Sequence, residues 1–324
     1  MHSIQRRAVL AAGVAALALP AAAQQAYPSR PVRIVVPYPP GGVSDAVARA
    51  IGEKLAAQMG QPFVVDNKAG ASGTIGVDAV AKAAPDGHTI AFTAISPLVL
   101  SPHLGKVPYD PDSHLAPVVS VMYSPVLLLA TPALAARDFR ELVAMAKGKP
   151  RAVRWATSGS ASLGHLMLEQ LQDQAGVAMV HVPYKGGGQQ MTDALSGQFE
   201  ILSTNAGPAV NEHIKAGKLR PLAVGAPRRL DSLPNVPTLA ELGYARANLS
   251  SQFGIVAPGG TPKPVVDKLN AQVNAVLQLP EIRSRLLATN NVPTGGSAEA
   301  FGKEIAAESE ANLRIIRAVG IKAD

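Results

Sequence analysis

The chain has 324 residues, 47% of them hydrophobic and 16% charged, and no cysteine. That length and apolar content suit one large or two medium globular domains and exclude a disordered chain, while the missing thiols exclude a disulfide framework, a thiolate metal site and a cysteine nucleophile. A formal charge of +7 with no Lys/Arg run longer than two, and only six Phe, six Tyr and one Trp, argues against nucleic acid and suits an anionic small ligand without proving one.

The first element is an apolar run, Ala8 to Leu19, behind Arg6 and Arg7 and ahead of Pro20-Ala21-Ala22-Ala23. A basic start, a short apolar run and a small-residue site predict a secretory signal peptide over residues 1–23, cleaved near Ala23. The run is shorter than the about 20 apolar residues a membrane span needs. A short anchor helix is the alternative, and the arginine pair also admits twin-arginine export. Cleavage would leave 28 basic against 23 acidic residues, or +5. An exported, periplasmic chain lacks a cytoplasmic supply of NAD or ATP, so no cofactor is expected.

From there, strands and helices alternate. Short β-rich apolar runs predict strands at 32–37, 63–66, 89–94, 126–132, 153–157, 179–184, 200–204, 221–226 and 253–258. Helical periodicity lies between them. Val47, Ala50, Ile51, Leu55 and Met59 share one stripe that stops at Gly60, and Leu163, Leu166, Met167 and Leu171 share another that stops at Gly176. A third helix, Pro208 to Ala216, stops at Gly217. Apolar strands separated by helices predict α/β lobes with mostly parallel sheets covered on both faces. From Lys263 to about Val319 the pattern is nearly all helical, broken at Pro280, Pro293 and Gly295-Gly296. With no flexible linker in view, the crossings between domains are expected to be strands, within "PVVSVMYSPVLLLATP" and "NLSSQFGIVAPGG".

The loops that follow the strands are rich in Gly, Ser and Thr: "YPPGGVSD" (Tyr38 to Asp45), "NKAGASGTIG", "AISPL", "TSGSASLGH", "YKGGGQQ" and "TNAGP". In parallel α/β sheets the carboxyl ends of the strands form the ligand crevice. Glycine lets the backbone approach a ligand closely, and helix N-termini offer unpaired N–H donors with a partial positive charge. Such loops facing each other would hold an anion, most simply a carboxylate; read singly, each is a tight turn with an N-cap. Asp45 can bind a ligand ammonium or cap its helix, and His165 can reach a ligand or pack.

Enzyme signatures are largely missing. The Gly-Lys pairs precede Val107, Pro150, Leu219 and Glu304, never Ser or Thr, so there is no P-loop, and no G-x-G-x-x-G follows a strand. "SGSASLG" lacks nucleophile-elbow spacing, and His88, His103, His114, His165, His181 and His213 form no metal-ligand spacing. The rival reading is a secreted α/β hydrolase using Ser160 or Ser162 with His165. The i,i+3 placement of Ser162 and His165 is a poor nucleophile–base arrangement.

The segments "VPYPPGGVSDAVAR", "NKAGASGTIG", "PDGHTI", "HVPYKGGGQQMTDALSGQ", "GKLRPLAV", "LPNVPTLAELGY" and "APGGTPKPVVDKLN" occur here in fixed order. Together they resemble the extracytoplasmic solute-binding receptors of tripartite tricarboxylate transporters, the Bug proteins, from about Tyr27 to the C-terminus. The resemblance implies a two-lobed periplasmic-binding-protein (type II, flytrap) fold that closes over a small carboxylate. It divides the chain into lobe 1 (24–123 plus 249–324) and lobe 2 (124–248). In such receptors main-chain amides and bridging waters of the first loop hold the ligand. Carried over, this points to Tyr38, Pro39, Gly41, Gly42, Asp45, Ser72, Gly73, Ile95 and Ser96 on one lobe. On the other it points to Ser158, Gly159, Ser160, Ser162 and Asn205, which His165 joins from the helix that follows. The implied partners are membrane transporter subunits, with a sensor kinase as the alternative, and the implied state is a monomer. "SSQFG" stands where relatives often carry tryptophans, and "EILSTNAG" replaces a more apolar stretch, so the family's specific substrates do not transfer.

Overall fold

A computed structural model describes residues 27–185 and 187–320. The expected leader and its cleavage site lie outside the described residues. Among the described residues there are ten strands, β1 (Val32–Val36), β2 (Phe63–Asn67), β3 (Thr89–Ala94), β4 (Leu115–Ala130), β5 (Arg154–Thr157), β6 (Val180–Pro183), β7 (Ile201–Asn205), β8 (Arg220–Gly225), β9 (Ser250–Pro258) and β10 (Val292–Pro293). The helices are α1 (Val43–Met59), α2 (Thr74–Ala81), α3 (Ser96–Val99), α4 (Ser101–Leu104), α5 (Phe139–Gly148), α6 (Leu163–Ala175), α7 (Gly187–Leu195), α8 (Pro208–Lys215), α9 (Lys263–Gln278), α10 (Pro280–Leu287) and α11 (Ala298–Val319).

The apolar stripes form helices because their ends are satisfied. Gly60 and Gly176, both left-handed, donate N–H to Ala56 O and Gln172 O, and Ser162 Oγ accepts from His165 N at the start of α6. Pro280 falls at the expected break between two helices and opens α10, where its missing N–H costs nothing.

The strands run in the order β2-β1-β3-β9-β4-β7-β5-β6, with β8 and β10 also on β4. Two blocks, β2-β1-β3 and β7-β5-β6, are parallel, whereas β9 and β4 run against their neighbours. The sheet is therefore mixed where mostly parallel sheets were expected. A chain returning from the other lobe enters the sheet from the opposite end, which reverses it. β4 is far longer than the expected run at 126–132. Its first half pairs with β9 up to Pro125↔Ser250, and its second half pairs with β7 and β8 from Val126 onward. It passes from one lobe to the other where Pro125, lacking an N–H, supplies no ladder donor.

Each lobe has its own apolar core. Ile34, Ile51, Leu55, Phe92 and Phe253 lie in the first, and Leu128, Trp155, Leu166, Met167 and Ile201 in the second. The terminal helix α11 touches both lobes. Phe301, 1% exposed, packs with Val35 and Val256 of β1 and β9, while Ile316 joins the Trp155 core.

Candidate functional site

Between the lobes lies a cavity of about 300 Å³, at the small end of the range for small-molecule sites. Lobe 1 contributes the loop after β1. Gly41 takes a φ of 82°, and its N–H donates to Asp45 Oδ2 at 3.0 Å. Asn67 Nδ2 donates to Tyr38 O at 3.1 Å, so the loop is tied down from two sides. Tyr38, Pro39, Gly41 and Gly42 line the cavity.

Asp45 does not line it. Its carboxylate faces back into its own loop, accepting from Gly41 and pairing with Arg49 Nη2 at 2.9 Å. Burial pushes the Asp45 carboxyl up, but hydrogen bonds from Arg49, Gly41 N–H and Asn67 outweigh it and hold the group below the usual carboxylate range. A carboxyl depressed in the folded state stabilises above its unfolded value near 4 and loses that contribution as pH falls through the folded value. Asp45→Asn is therefore expected to cost about 1–2 kcal/mol at pH 7, with the deficit shrinking below about pH 4. Urea melts at both pH values check this; an equal deficit at pH 3 and pH 7 contradicts it.

Ser72 lines the cavity from a turn, Ala71–Gly73, in which Ala71 and Ser72 both hold positive φ (46° and 54°). Such backbone costs side-chain-bearing residues energy and persists only where the surroundings enforce it. Here Ser72 Oγ donates across the cleft to Ser160 O on lobe 2. Gly73 sits behind this turn, where an added Cβ would approach Pro97 Cγ at 2.9 Å and Tyr38 OH at 3.2 Å. Ile95 is 5% exposed and packs into the lobe 1 core, while its neighbour Ser96 reaches the cavity.

On lobe 2, Ser158, Ser162 and Asn205 line the cavity, whereas Gly159, Ser160 and His165 do not. Gly159 (φ 140°) and Ser160 form the rim contact with Ser72. His165 is 5% exposed, stacks on His181 with ring centroids 4.0 Å apart, and accepts at Nδ1 from Ala161 N at 3.4 Å. It thus braces Ala161, whose φ is 61°. Ser162 Oγ is occupied as the cap of α6, accepting from His165 N at 3.3 Å. Asn205 Nδ2 donates to Ser124 O and Pro125 O, at 3.3 and 3.4 Å, where β4 changes lobe.

The cavity takes in more than the expected residues. Gly187 and Gly188 of α7, and Gly207, Pro208 and Ala209 around the start of α8, line it, as do Gln190, Ser203 and Thr204. Their loops were visible as glycine-rich breaks, but which positions face inward depends on how the helices dock. Ser251 and Phe253 of "SSQFG" and Ser203 to Asn205 of "EILSTNAG" also stand on its wall.

Four helices of eight or more residues, α1, α6, α7 and α8, therefore turn residues of their first turn or cap toward one space. The first turn of a helix carries unpaired N–H groups and about half a positive charge. Among the described residues that line it there is no Arg, Lys, Asp, Glu or His. Tyr38 is the one lining side chain able to ionise, and burial, partly offset by hydrogen bonding with Thr93 and Ala94, pushes it up to about 12. It stays a neutral hydroxyl near neutral pH. Such a space attracts a small anion through main-chain and hydroxyl donors.

Comparisons with known proteins agree with this chemistry. A family model for the tripartite tricarboxylate transporter family receptor matches residues 47–321. Protein BugT of Bordetella pertussis is 37% identical over 95% of this chain and 94% of its own. The solved structure of Rhodopseudomonas palustris Rpa4515 with adipate is similar at a TM-score of 0.87 and 33% identity, covering 91% of this chain and 99% of that one. MatC of the same organism with bound malate is similar at a TM-score of 0.84 and 30% identity, covering 90% and 100%. The chain belongs to the tripartite tricarboxylate transporter receptor family, and its fold is the two-lobed α/β fold of periplasmic binding proteins.

Proposed function

We propose that this protein captures a small organic carboxylate between its lobes in the periplasm and delivers it to membrane transporter subunits. The observation that carries this is the convergence of four helix starts on a cavity that no charged side chain among the described residues lines. Adipate and malate, the acids held by the two similar structures, are dicarboxylates. The N-terminal Arg6-Arg7 leader pattern supports export. Among the described residues no helix is long and apolar enough to cross a membrane. The lobes are residues 24–123 with 249–324, and 124–248, with α11 lying across both.

Micromolar affinity needs about 8 kcal/mol, and a hydrogen bond to a charged group supplies about 1.5–3 kcal/mol. Four to six convergent donors are the right scale after ordering costs. A ligand held from both lobes favours the closed arrangement, in which Ser72 reaches Ser160. Release opens the two lobes for the transporter, and the receptor works as a monomer that makes and breaks no covalent bond. Ser162, committed to capping α6, supports a binding role over a nucleophilic one.

A thermal-shift screen tests this. A matching carboxylate at 100 times its dissociation constant adds about 2.7 kcal/mol of stability. Mono- and dicarboxylates are expected to raise the melting temperature, while polyamines of similar size leave it unchanged. Stabilisation by cations and by no acid contradicts the reading, as does steady ester turnover lost in Ser162→Ala.

A further inference from the structure

The lobe 2 wall of this cavity holds two polar atoms that the fold leaves without partners. Gln190, 1% exposed on α7, donates from Nε2 to Ser203 O at 3.1 Å. That bond fixes the amide, so Oε1 is the remaining acceptor, and it has no donor. Ser203, 3% exposed on β7, has its Oγ likewise unpartnered. Both residues line the cavity. Ser203 lies under the first turn of α6, since a Cβ added at Gly164 would come within 2.7 Å of Ser203 Oγ. Buried polar atoms are normally paired, and each exception calls for a partner.

We infer that Gln190 and Ser203 form a specificity-determining pair that reads a hydroxyl group on the ligand, next to the carboxylate held by the helix starts. This rests on the carboxylate reading above. The chemistry selects the group. A carboxylate cannot donate to Gln190 Oε1 and would be repelled by it. An ammonium could donate, but no acidic side chain among the described residues lines the cavity and the helix starts present positive partial charge. A hydroxyl donates to Gln190 Oε1 and accepts from Ser203 Oγ–H, completing both atoms at once. A site built to pair with a hydroxyl discriminates against the analogue that lacks it, because its own polar atoms are then left unpaired. The preferred ligand class is a hydroxy-substituted carboxylate.

The test uses acids that differ by one hydroxyl: lactate and propionate, malate and succinate, mandelate and phenylacetate. Calorimetric titration of the full mature chain is expected to show the hydroxylated member of the binding pair favoured by at least about 10-fold, the scale of one hydrogen bond. In Gln190→Leu, which keeps the volume and removes the acceptor, the preference collapses to within about 2-fold through loss of the hydroxylated acid alone. Ser203→Ala gives the same readout if Gln190→Leu fails to fold. Equal binding of both acids by the parent protein, or an unchanged ratio in the variants, overturns the inference and leaves the receptor reading standing. Failure of every acid to bind overturns the receptor reading, and this inference with it.

Discussion

Gly159→Ala is expected to weaken carboxylate binding by at least about 30-fold, equivalent to about 2 kcal/mol. An added Cβ at Gly159 would collide with Ser72 Oγ and come within 3.1 Å of Tyr184 O. It would therefore hold apart the rim where Ser72 donates to Ser160 O. A ligand that bridges the lobes only when they are closed then loses half of its donors. The same substitution strains a backbone at φ 140°, costing about 1–3 kcal/mol of stability whether or not ligand is present. Adding Ser72→Gly separates the two effects. It removes the colliding side chain but also the Ser72–Ser160 bond, so binding should recover in part while the stability loss persists. Titrations and melts of both single variants and the double variant check this, and a binding defect that Ser72→Gly does not relieve contradicts it.

Phe301→Ala is expected to be the most destabilising of the substitutions considered, by about 3–5 kcal/mol. Phe301 anchors α11 over β9 at Gly254, where an added Cβ would approach Phe301 Cε1 at 2.7 Å and Val119 O at 2.8 Å. Glycine at that point lets the ring lie directly on the sheet. Because Ile316, near the other end of the helix, joins the second core, loosening Phe301 should unfasten a tie between the lobes. At about 2–4 °C per kcal/mol for a chain of this scale, the melting temperature should fall by roughly 10 °C. Calorimetry should also show a broader transition as the lobes unfold less cooperatively. A shift under 2 °C would mean that the helix is not docked as described.

How far the fold could be read from the sequence differs between its local and non-local features. The strands were legible because runs such as "VRIVVP" and "TIAFTA" are buried on both faces and bounded by turn residues. Strand direction was not legible: β9 runs antiparallel because of where the chain has been, which no local pattern records. The helix stops at Gly60 and Gly176 were visible because a left-handed C-cap favours glycine.

The loops around the cavity were equally visible, as clusters of Gly and Ser after strands. What each side chain does there was not. Asp45, His165 and Ile95 lie in these loops or next to them, yet each turns away from the cavity to satisfy an amide or fill a core. Gln190 was missed because "GGGQQ" reads as a loop, whereas Gly187–Leu195 is a helix that lays Gln190 against β7. Composition marks a strand end as a place for a ligand, but the facing of individual atoms follows from packing.

In the proposed receptor, main-chain amides at the helix starts of both lobes hold the acid. Amide proton shifts in labelled protein, titrated with the carboxylate that stabilises it most, test this directly. The amides of Val43 and Ser44 in α1, Leu163 and Gly164 in α6, and Ala209 in α8 should move downfield together and saturate at one equivalent. Saturable binding that leaves these amides in place and instead shifts arginine or lysine side-chain signals would contradict capture by main-chain amides.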